Sequence, residues 1–536
     1  MNAAVLAGAP PNRAEPVDLA AMPHRRKILL FALMALGQFM ALLDSQIVAS
    51  SINEIQAGLA AGPDETSWVQ TSYLMAEIVM IPLSGWLSRA FSTRWLFTAS
   101  AACFTVTSVA CGLAWNIESM IAFRALQGFV GGAMIPTVFA TGFALFQGKQ
   151  RAMVPAVLGT LSALAPTIGP TLGGYLTDTW SWHWLFFVNL VPGLLITFAI
   201  PLMGRIDDPE PSLLKRFDFI SLALIAVSLA GLEYVLEEGY RWNWMEDDTI
   251  RSVAVIAAVA GVAFIVRTLK SANPLVDLVA LRNRTFALGC LFNFVTGFGI
   301  FAAVYVLPLF LARVRGFNAR QIGDAVFIAG LAMVISAPIV AAVSRRLDVR
   351  VMIAFGFVAF AAGLWMMSFM TSDWTGGELF WPQAVRGFAI LFCIVPATNM
   401  ALGSVAPERL KMASALFNTM RNLGGAVGIA CVNTLLNDRL NLHWLRLNER
   451  MVTAAHLSGD LLAGLRDHVV QQAVSPLVAT QQSLALLARL TRREATTLAF
   501  ADVLWLIAAL FVLALPLVLL VKVPKVQVAP QLAEAH

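Results

Sequence analysis

The chain has 536 residues, of which 58% are hydrophobic and 13% charged, with a mean hydropathy of +0.74 and a formal net charge of +5. A soluble domain carries about 25% charged residues, so a soluble fold of this size is excluded and lipid must cover much of the exterior. A transmembrane barrel is excluded as well, because its strands alternate polar and apolar over about ten residues, whereas the apolar runs here are continuous and reach the ~20 residues that a helix needs to cross a bilayer.

A polar stretch ending in His24-Arg25-Arg26-Lys27 precedes the first run. It has the charge of a signal sequence, but the run that follows is longer than a signal core and carries Asp44, which predicts an uncleaved first span. Spans are predicted at 28–50, 66–87, 95–114, 117–145, 152–176, 183–204, 217–237, 251–270, 285–312, 319–343, 351–371, 379–403, 410–436 and 499–521. The fold class is therefore an all-α polytopic membrane protein with fourteen transmembrane helices. Its parts are a cytoplasmic tail (1–27), a six-helix half (28–204), two additional helices with their linkers (205–284), a second six-helix half (285–522) containing a long periplasmic loop (437–498), and a cytoplasmic tail (523–536). The loop is rich in Leu with interspersed charge, as in SLALLARLTRRE, which predicts amphipathic helices on or above the outer surface.

The basic residues set the orientation. With the N-terminus in the cytoplasm, the cytoplasmic links hold Arg89, Arg94, Lys149, Arg151, Arg205, Lys215, Arg216, Arg267, Lys270, Arg282, Arg284, Arg345, Arg346, Arg350, Arg409, Lys411, Lys522 and Lys525. Arg241, Arg313 and Arg315 fall on the other side, and the bias still places both ends in the cytoplasm. The positive balance thus reads as membrane orientation and not as nucleic-acid binding. The five cysteines all lie in apolar runs and read as small buried residues, and nothing resembles a metal site.

Ionisable groups inside lipid are costly and need a reason. Asp44 sits within the first span, and reads either as a proton or cation site or as a structural acceptor. Glu77 sits mid-span with Gln70, Tyr73 and Ser84 on its stripe, facing either a cavity or a neighbouring helix. Arg124 shares a face with Gln127, Gly128 and Gly131. A buried guanidinium cannot shed its charge, so it must find a carboxylate or carbonyls, and Asp44 and Glu77 are the carboxylates available. Asp44, Glu77 and Arg124 are the candidates for proton coupling. Met40, Gln70, Tyr73, Gln127, Asn293, Asn418, Arg421 and Asn422 are the candidates for a substrate cavity. In the fifth span Pro166, Gly169, Pro170, Gly173 and Gly174 predict a bend and tight packing. Glu233, Asp324 and Asp502 are placed near span ends.

An internal repeat is visible. SRAFSTR (88–94) matches SRRLDVR (344–350); Arg124 with Gly128-Phe129 matches Arg386 with Gly387-Phe388; GPTLGG (169–174) matches GGAVG (424–428). Two parallel six-span halves of this kind mark a major-facilitator architecture with a site at the midplane between them.

The ordered motifs also carry a resemblance. LLDSQIV, GWLSRAFSTRWLF, FRALQGFVGGAMIP, GPTLGGYL, WSWHWLFFVNLVPG, RNLGGAVGIA and LAFADVLWLIAAL together resemble the signatures of the fourteen-span drug:proton antiporters of the EmrB/QacA type, in the major facilitator superfamily. The stretch from Gly85 to Gly193 is most similar to the EmrB branch. The resemblance covers residues 28–522 and implies a proton-coupled multidrug efflux transporter of the cell inner membrane, contributing to antibiotic resistance. It implies no cofactor beyond the proton gradient, and as partners hydrophobic small molecules, an adaptor of the EmrA/HlyD type and an outer-membrane channel. It also implies that Gly85, Arg89 and Arg94, with the Pro/Gly set of the fifth span, serve conformational change. Two departures stand out: Ser88 and Ser92 replace the acidic residue and glycine usual in the loop motif, which removes its own charge relay. A transporter of one metabolite or lipid-like solute, working without an adaptor, shares the fold. A membrane-embedded enzyme would need a catalytic set that the sequence does not offer.

Overall fold

The computed structural model describes residues 22–521, apart from positions 152, 204 and 345 and most of 454–475. Residues 1–21 of the N-terminal tail, the C-terminal tail and part of the 437–498 stretch therefore lie outside the described residues, as do Arg345, Lys522 and Lys525. The described chain is helical. Its long helices are α1 (His24–Ile47), α2 (Pro63–Ala90), α3 (Thr93–Gly112), α4 (Ile117–Leu145), α5 (Met153–Thr179), α6 (Trp184–Leu202), α7 (Phe219–Glu238), α8 (Asp248–Lys270), α9 (Arg284–Arg313), α10 (Ala319–Val343), α11 (Val349–Met367), α12 (Gly376–Gly403), α13 (Leu410–Thr453) and α14 (Pro476–Val518).

By length and hydropathy, 11 of these can cross a membrane, or 12 when the bent α5 is counted. The two that do not pass have identifiable reasons. α2 carries Gln70, Glu77 and other polar groups. In α13 the apolar half is diluted by a polar extension reaching Thr453. That extension corrects the predicted edges: α13 does not stop near 436, and α14 starts at 476 instead of 499. The 44 residues of α13 span about 66 Å at 1.5 Å per residue, roughly twice the hydrocarbon core. α13 and α14 thus continue beyond the bundle side by side, with His443 Nε2 2.9 Å from Asp502 Oδ2. Arg493 of α14 anchors the same end by donating to Asp373 Oδ1 at 2.8 Å.

Helices α1–α6 and α9–α14 pack as two matching halves. The neighbours α2–α4, α1–α5 and α3–α6 in the first half recur as α10–α12, α9–α13 and α11–α14 in the second. Glycines make the close approaches. A Cβ on Gly128 of α4 would run into the Tyr73 backbone of α2, and one on Gly387 of α12 into the Ala329 backbone of α10. This register equates Gly128 with Gly387, as the repeat read from the sequence does, but it sets Arg386 against Gln127 and Arg124 against Gln383, so the two arginines are three positions out of step. Arg386 is buried and donates to Gln383 Oε1 at 2.9 Å, and among the described residues it has no carboxylate partner such as Asp44 gives Arg124.

The halves meet through α5 with α10 and α2 with α13, and α7 lies against both α2 and α13. α7 and α8 pair with each other, and their outer faces are exposed. At their mouth Arg267 donates to both oxygens of Asp218 at 2.8 and 2.9 Å, which holds that carboxyl well below the usual carboxylate range. The predicted bend of α5 is present: its two segments, Met153–Pro166 and Ile168–Thr179, meet at 42°. Cys111, Cys290 and Cys393 are buried as expected and Cys431 is half-buried, but Cys103 points outward from α3.

Candidate functional site

Asp44, the acidic residue of α1, lies within a dense polar cluster in the first half. Arg124 of α4 places Nη1 2.5 Å from Asp44 Oδ2. Asp44 Oδ1 accepts from Gln127 Nε2 at 3.0 Å and from Asn189 Nδ2 at 2.7 Å. Asn189 also donates to Ser108 Oγ at 3.0 Å, and Ser108 donates to the Phe186 carbonyl at 2.8 Å. Arg124 is held at further points, although its buried Nη2 has no hydrogen-bond partner among the described residues: Nε donates to the Val69 carbonyl at 3.2 Å, Nη1 also reaches Gln127 Oε1 at 2.9 Å, and its Cζ stands 4.1 Å from the centre of the Tyr73 ring. The Tyr73 hydroxyl donates to the Ala41 carbonyl at 3.1 Å. Asp44 and Arg124 are 1% and 0% exposed, so the pair is desolvated on both sides. Breaking such a pair by removing one partner costs about 3–5 kcal/mol. The proton-coupling candidates Asp44 and Arg124 are thus brought together.

Glu77, one turn beyond Tyr73 on α2, is buried and forms no hydrogen bond or ion pair among the described residues. It sits in the combined field of Arg124 from its own half and Arg421 of α13 from the other. A carboxylate between two arginines of opposite halves can tie them together when charged and release them when neutral.

A cavity of about 510 Å³ lies between the halves, in the end of the bundle away from the N-terminus. Its wall is mostly apolar and aromatic, with Ile300, Phe301 and Tyr305 of α9, Pro166 and Pro170 of α5, and Gln46 of α1. The eight residues proposed from sequence for a substrate cavity do not line it. Met40 packs in the core around α1. Gln70 donates to the Ser45 carbonyl at 3.2 Å, Tyr73 and Gln127 belong to the Asp44 cluster, and Asn293 donates to the Phe417 carbonyl at 2.7 Å. Asn418 donates to the Ser414 carbonyl at 2.9 Å, Arg421 faces Glu77 and the Phe139 ring, and Asn422 is half-buried one position on. Polar groups in the spans mostly fasten helices to each other, and the cavity is walled by residues that look like core.

The opposite, N-terminal end of the bundle is held shut between the halves. Gly85 lets α2 meet the backbone of Lys411 and Met412, where a Cβ would come within 2.8 Å of Met412 Cα. Arg89 reaches Glu210 Oε2 at 3.1 Å and Met412 Sδ at 3.7 Å, while Arg94 lies over Trp95 and takes no part. Asp207 of the link after α6 supplies the missing loop acid. It accepts from Ser92 Oγ at 2.6 Å, from the Thr93 amide at 2.9 Å and from Thr93 Oγ1 at 2.6 Å. Lys411, at the start of α13, pairs with Asp207 and donates to the Ser88 carbonyl at 3.1 Å. Ser88 and Ser92 therefore keep their place in the loop by binding or adjoining a carboxylate borrowed from elsewhere. In α5, Gly169 lies against Gln46 and Ile47 of α1, and Gly173 and Gly174 are buried.

Two matching helical halves, a cavity between them and a desolvated charge pair inside lipid-crossing helices define a membrane transporter, not an enzyme. The sequence profile of the Major Facilitator Superfamily matches residues 34–429, and the chain belongs to that superfamily. The colistin resistance protein EmrB of Acinetobacter baumannii is 37% identical over 91% of this chain and 94% of its own length. The multidrug export protein EmrB of Escherichia coli is 30% identical over 93% and 96%, and the fatty acid resistance protein FarB of Neisseria gonorrhoeae 29% over 82% and 89%. Among solved structures, the human organic anion transporter MFSD10 (TETRAN) superimposes with a TM-score of 0.53 at 14% identity, covering 91% of this chain and 100% of that one, a likeness of fold.

Proposed function

We propose that this protein is a multidrug efflux transporter that exports hydrophobic and amphipathic compounds by alternating access, driven by protons. The single observation that carries the coupling is the arrangement of Asp44, Arg124 and Glu77: one acid neutralised by a fixed arginine, a second held between arginines of the two halves. Export names among the EmrB relatives, which span nearly the whole chain, support the direction and the substrate class. The apolar and aromatic cavity wall supports loosely specified ligands.

In this reading the chain has fourteen spans, both ends in the cytoplasm and the latch of Asp207 and Lys411 on the cytoplasmic side, so the cavity faces outward. Protonation of Glu77 releases its hold on Arg421, the halves rock, and substrate then enters from the cytoplasm or inner leaflet as the proton leaves. The driving force is adequate: roughly 2.3 kcal/mol per charge per 100 mV supports about a 50-fold substrate gradient at ~1.4 kcal/mol per decade. The extension of α13 and α14 past the bundle supports contact with a periplasmic adaptor, and through it an outer-membrane channel. Copurification of an adaptor that is lost on deleting 440–475 tests that partnership.

The coupling is tested in proteoliposomes with an imposed pH gradient and ethidium as probe. Asp44→Asn and Glu77→Gln should bind ethidium yet fail to move it uphill. Undiminished uphill transport by both would sink the proton role.

A further inference from the structure

Helix α7, first of the inserted pair, carries a carboxylate that neither the latch nor the Asp44 cluster uses. Glu233 is 4% exposed, and its Oε2 has no hydrogen-bond partner. An acid stranded in a lipid-crossing helix without a partner is costly unless it works. The ionisable groups that act on it are Glu237, one turn on along the same face of α7, and Glu77 from α2; both are acids. α8 and α13, the other helices packed on α7, contribute none. Its neighbour Glu238 is paired with Arg241 at 3.7 Å, and among the described residues Glu233 and Glu237 form no ion pair of their own.

The face has a direction. Trp68 of α2 stacks on Tyr234 at 5.5 Å, which fixes α7 beside the helix that carries Glu77. Toward the end of α7, Glu237 comes within electrostatic reach of Tyr305 of α9. Tyr305 lines the cavity between the halves and donates to Asn433 Oδ1 at 2.9 Å. Next to it a recess of about 350 Å³, lined by Tyr240, Arg241, Asn243, Arg313 and Asn433, opens where α7 ends. Acids therefore run from a polar mouth, through Glu237 and Glu233, to Glu77.

We propose that Glu237 and Glu233 of the inserted helix pair form the proton entry to Glu77 from the side away from the N-terminus. Glu237 in its acid form passes its proton to the Glu233 carboxylate, and is recharged from water in the mouth. Glu233 then passes the proton to the Glu77 carboxylate. Carboxyls four residues apart on a helix have Cβ atoms about 5–6 Å apart, so the hop from Glu237 to Glu233 uses a bridging water. Only O–H bonds form and break, one proton advances per cycle, and no other reactant is needed. The inserted pair thereby becomes a working part of the carrier and not merely a link between halves. This rests on the proton-coupled reading above.

The test uses the full chain in proteoliposomes, with ethidium as probe and a pH gradient imposed. Glu233→Gln and, separately, Glu237→Gln should keep ethidium affinity within about twofold. Gradient-driven transport should fall at least tenfold and acquire a solvent deuterium isotope effect that the parent lacks, with partial recovery in Glu233→Asp. A merely structural role would not create the isotope effect. Parent-like rates in Glu233→Gln would overturn the pathway while leaving proton coupling at Glu77 intact. If Glu233→Gln does not fold, the half-buried Glu237→Gln decides by the same criteria. Transport by the parent that ignores the gradient would remove proton coupling itself, and the pathway with it.

Discussion

Replacing Lys411 with alanine should open the N-terminal end of the bundle. Lys411 crosses between the halves with two contacts, an ion pair to Asp207 and a hydrogen bond of 3.1 Å to the Ser88 carbonyl. Both groups of the pair are partly exposed, so solvent screens it and it contributes up to about 1 kcal/mol. The hydrogen bond to the carbonyl adds about 1 kcal/mol more. Losing roughly 2 kcal/mol shifts the balance between closed and open ends by about 30-fold at 1.4 kcal/mol per decade. Spin labels placed on the links after α2 and before α13 would report this as growth of a longer-distance population. Molar salt shortens the screening length to about 3 Å, so it should move the parent part of the way and Lys411→Ala hardly at all. Asp207→Asn should behave similarly, since an amide still accepts from Ser92 and the Thr93 amide but does not pair with the ammonium. An unchanged distance distribution in Lys411→Ala would refute the latch.

Two further outcomes concern the helices around Asp44. Asn189→Leu removes a 2.7 Å hydrogen bond to a carboxylate, worth about 1.5–3 kcal/mol; the thermal unfolding midpoint should fall by more than in Ser108→Ala, which loses only neutral hydrogen bonds. Gly128→Ala drives a Cβ into the Tyr73 carbonyl, an overpacking that costs about 1–3 kcal/mol, whereas Gly403→Ala, with nothing within 4 Å of its Cβ, should leave the unfolding midpoint unchanged.

How much of this was legible in the sequence depended on contrast. Asp44, Glu77 and Arg124 stand out because each is a charge inside an apolar run, and Asp44 and Arg124 indeed find each other. Asn189 was visible only as a letter of a motif, since an uncharged amide among aromatic residues carries no such contrast. Asp207 gave no signal at all. Its partners Ser92 and Lys411 lie 115 and 204 positions away, and an acid in a polar link reads as ordinary surface. The cavity wall was hidden for the opposite reason: Ile300, Phe301 and Val304 cannot be told from core by composition. The polar residues chosen in their place serve as helix-to-helix fasteners, which is the commoner use of a polar side chain where water is absent. The joined halves were foreseen from the repeat, and its glycines match in space, but the two arginines do not: Arg386 sits where Gln127 does, three positions from the counterpart of Arg124.

The length of α13 has a mechanical consequence. One rigid rod begins at Lys411 in the latch, passes Arg421 opposite Glu77, is gripped by α9 at Gly424 and Gly428, and ends at Thr453 beyond the bundle. From the grip at Gly428 to Thr453 is roughly 37 Å at 1.5 Å per residue. A tilt of about 10° there would sweep the tip sideways by roughly 6 Å over that length. Motion small enough to pass unnoticed at the carboxylates becomes a stroke of about one helical turn beyond the bundle, so a partner resting on the tip would feel every turnover as a push.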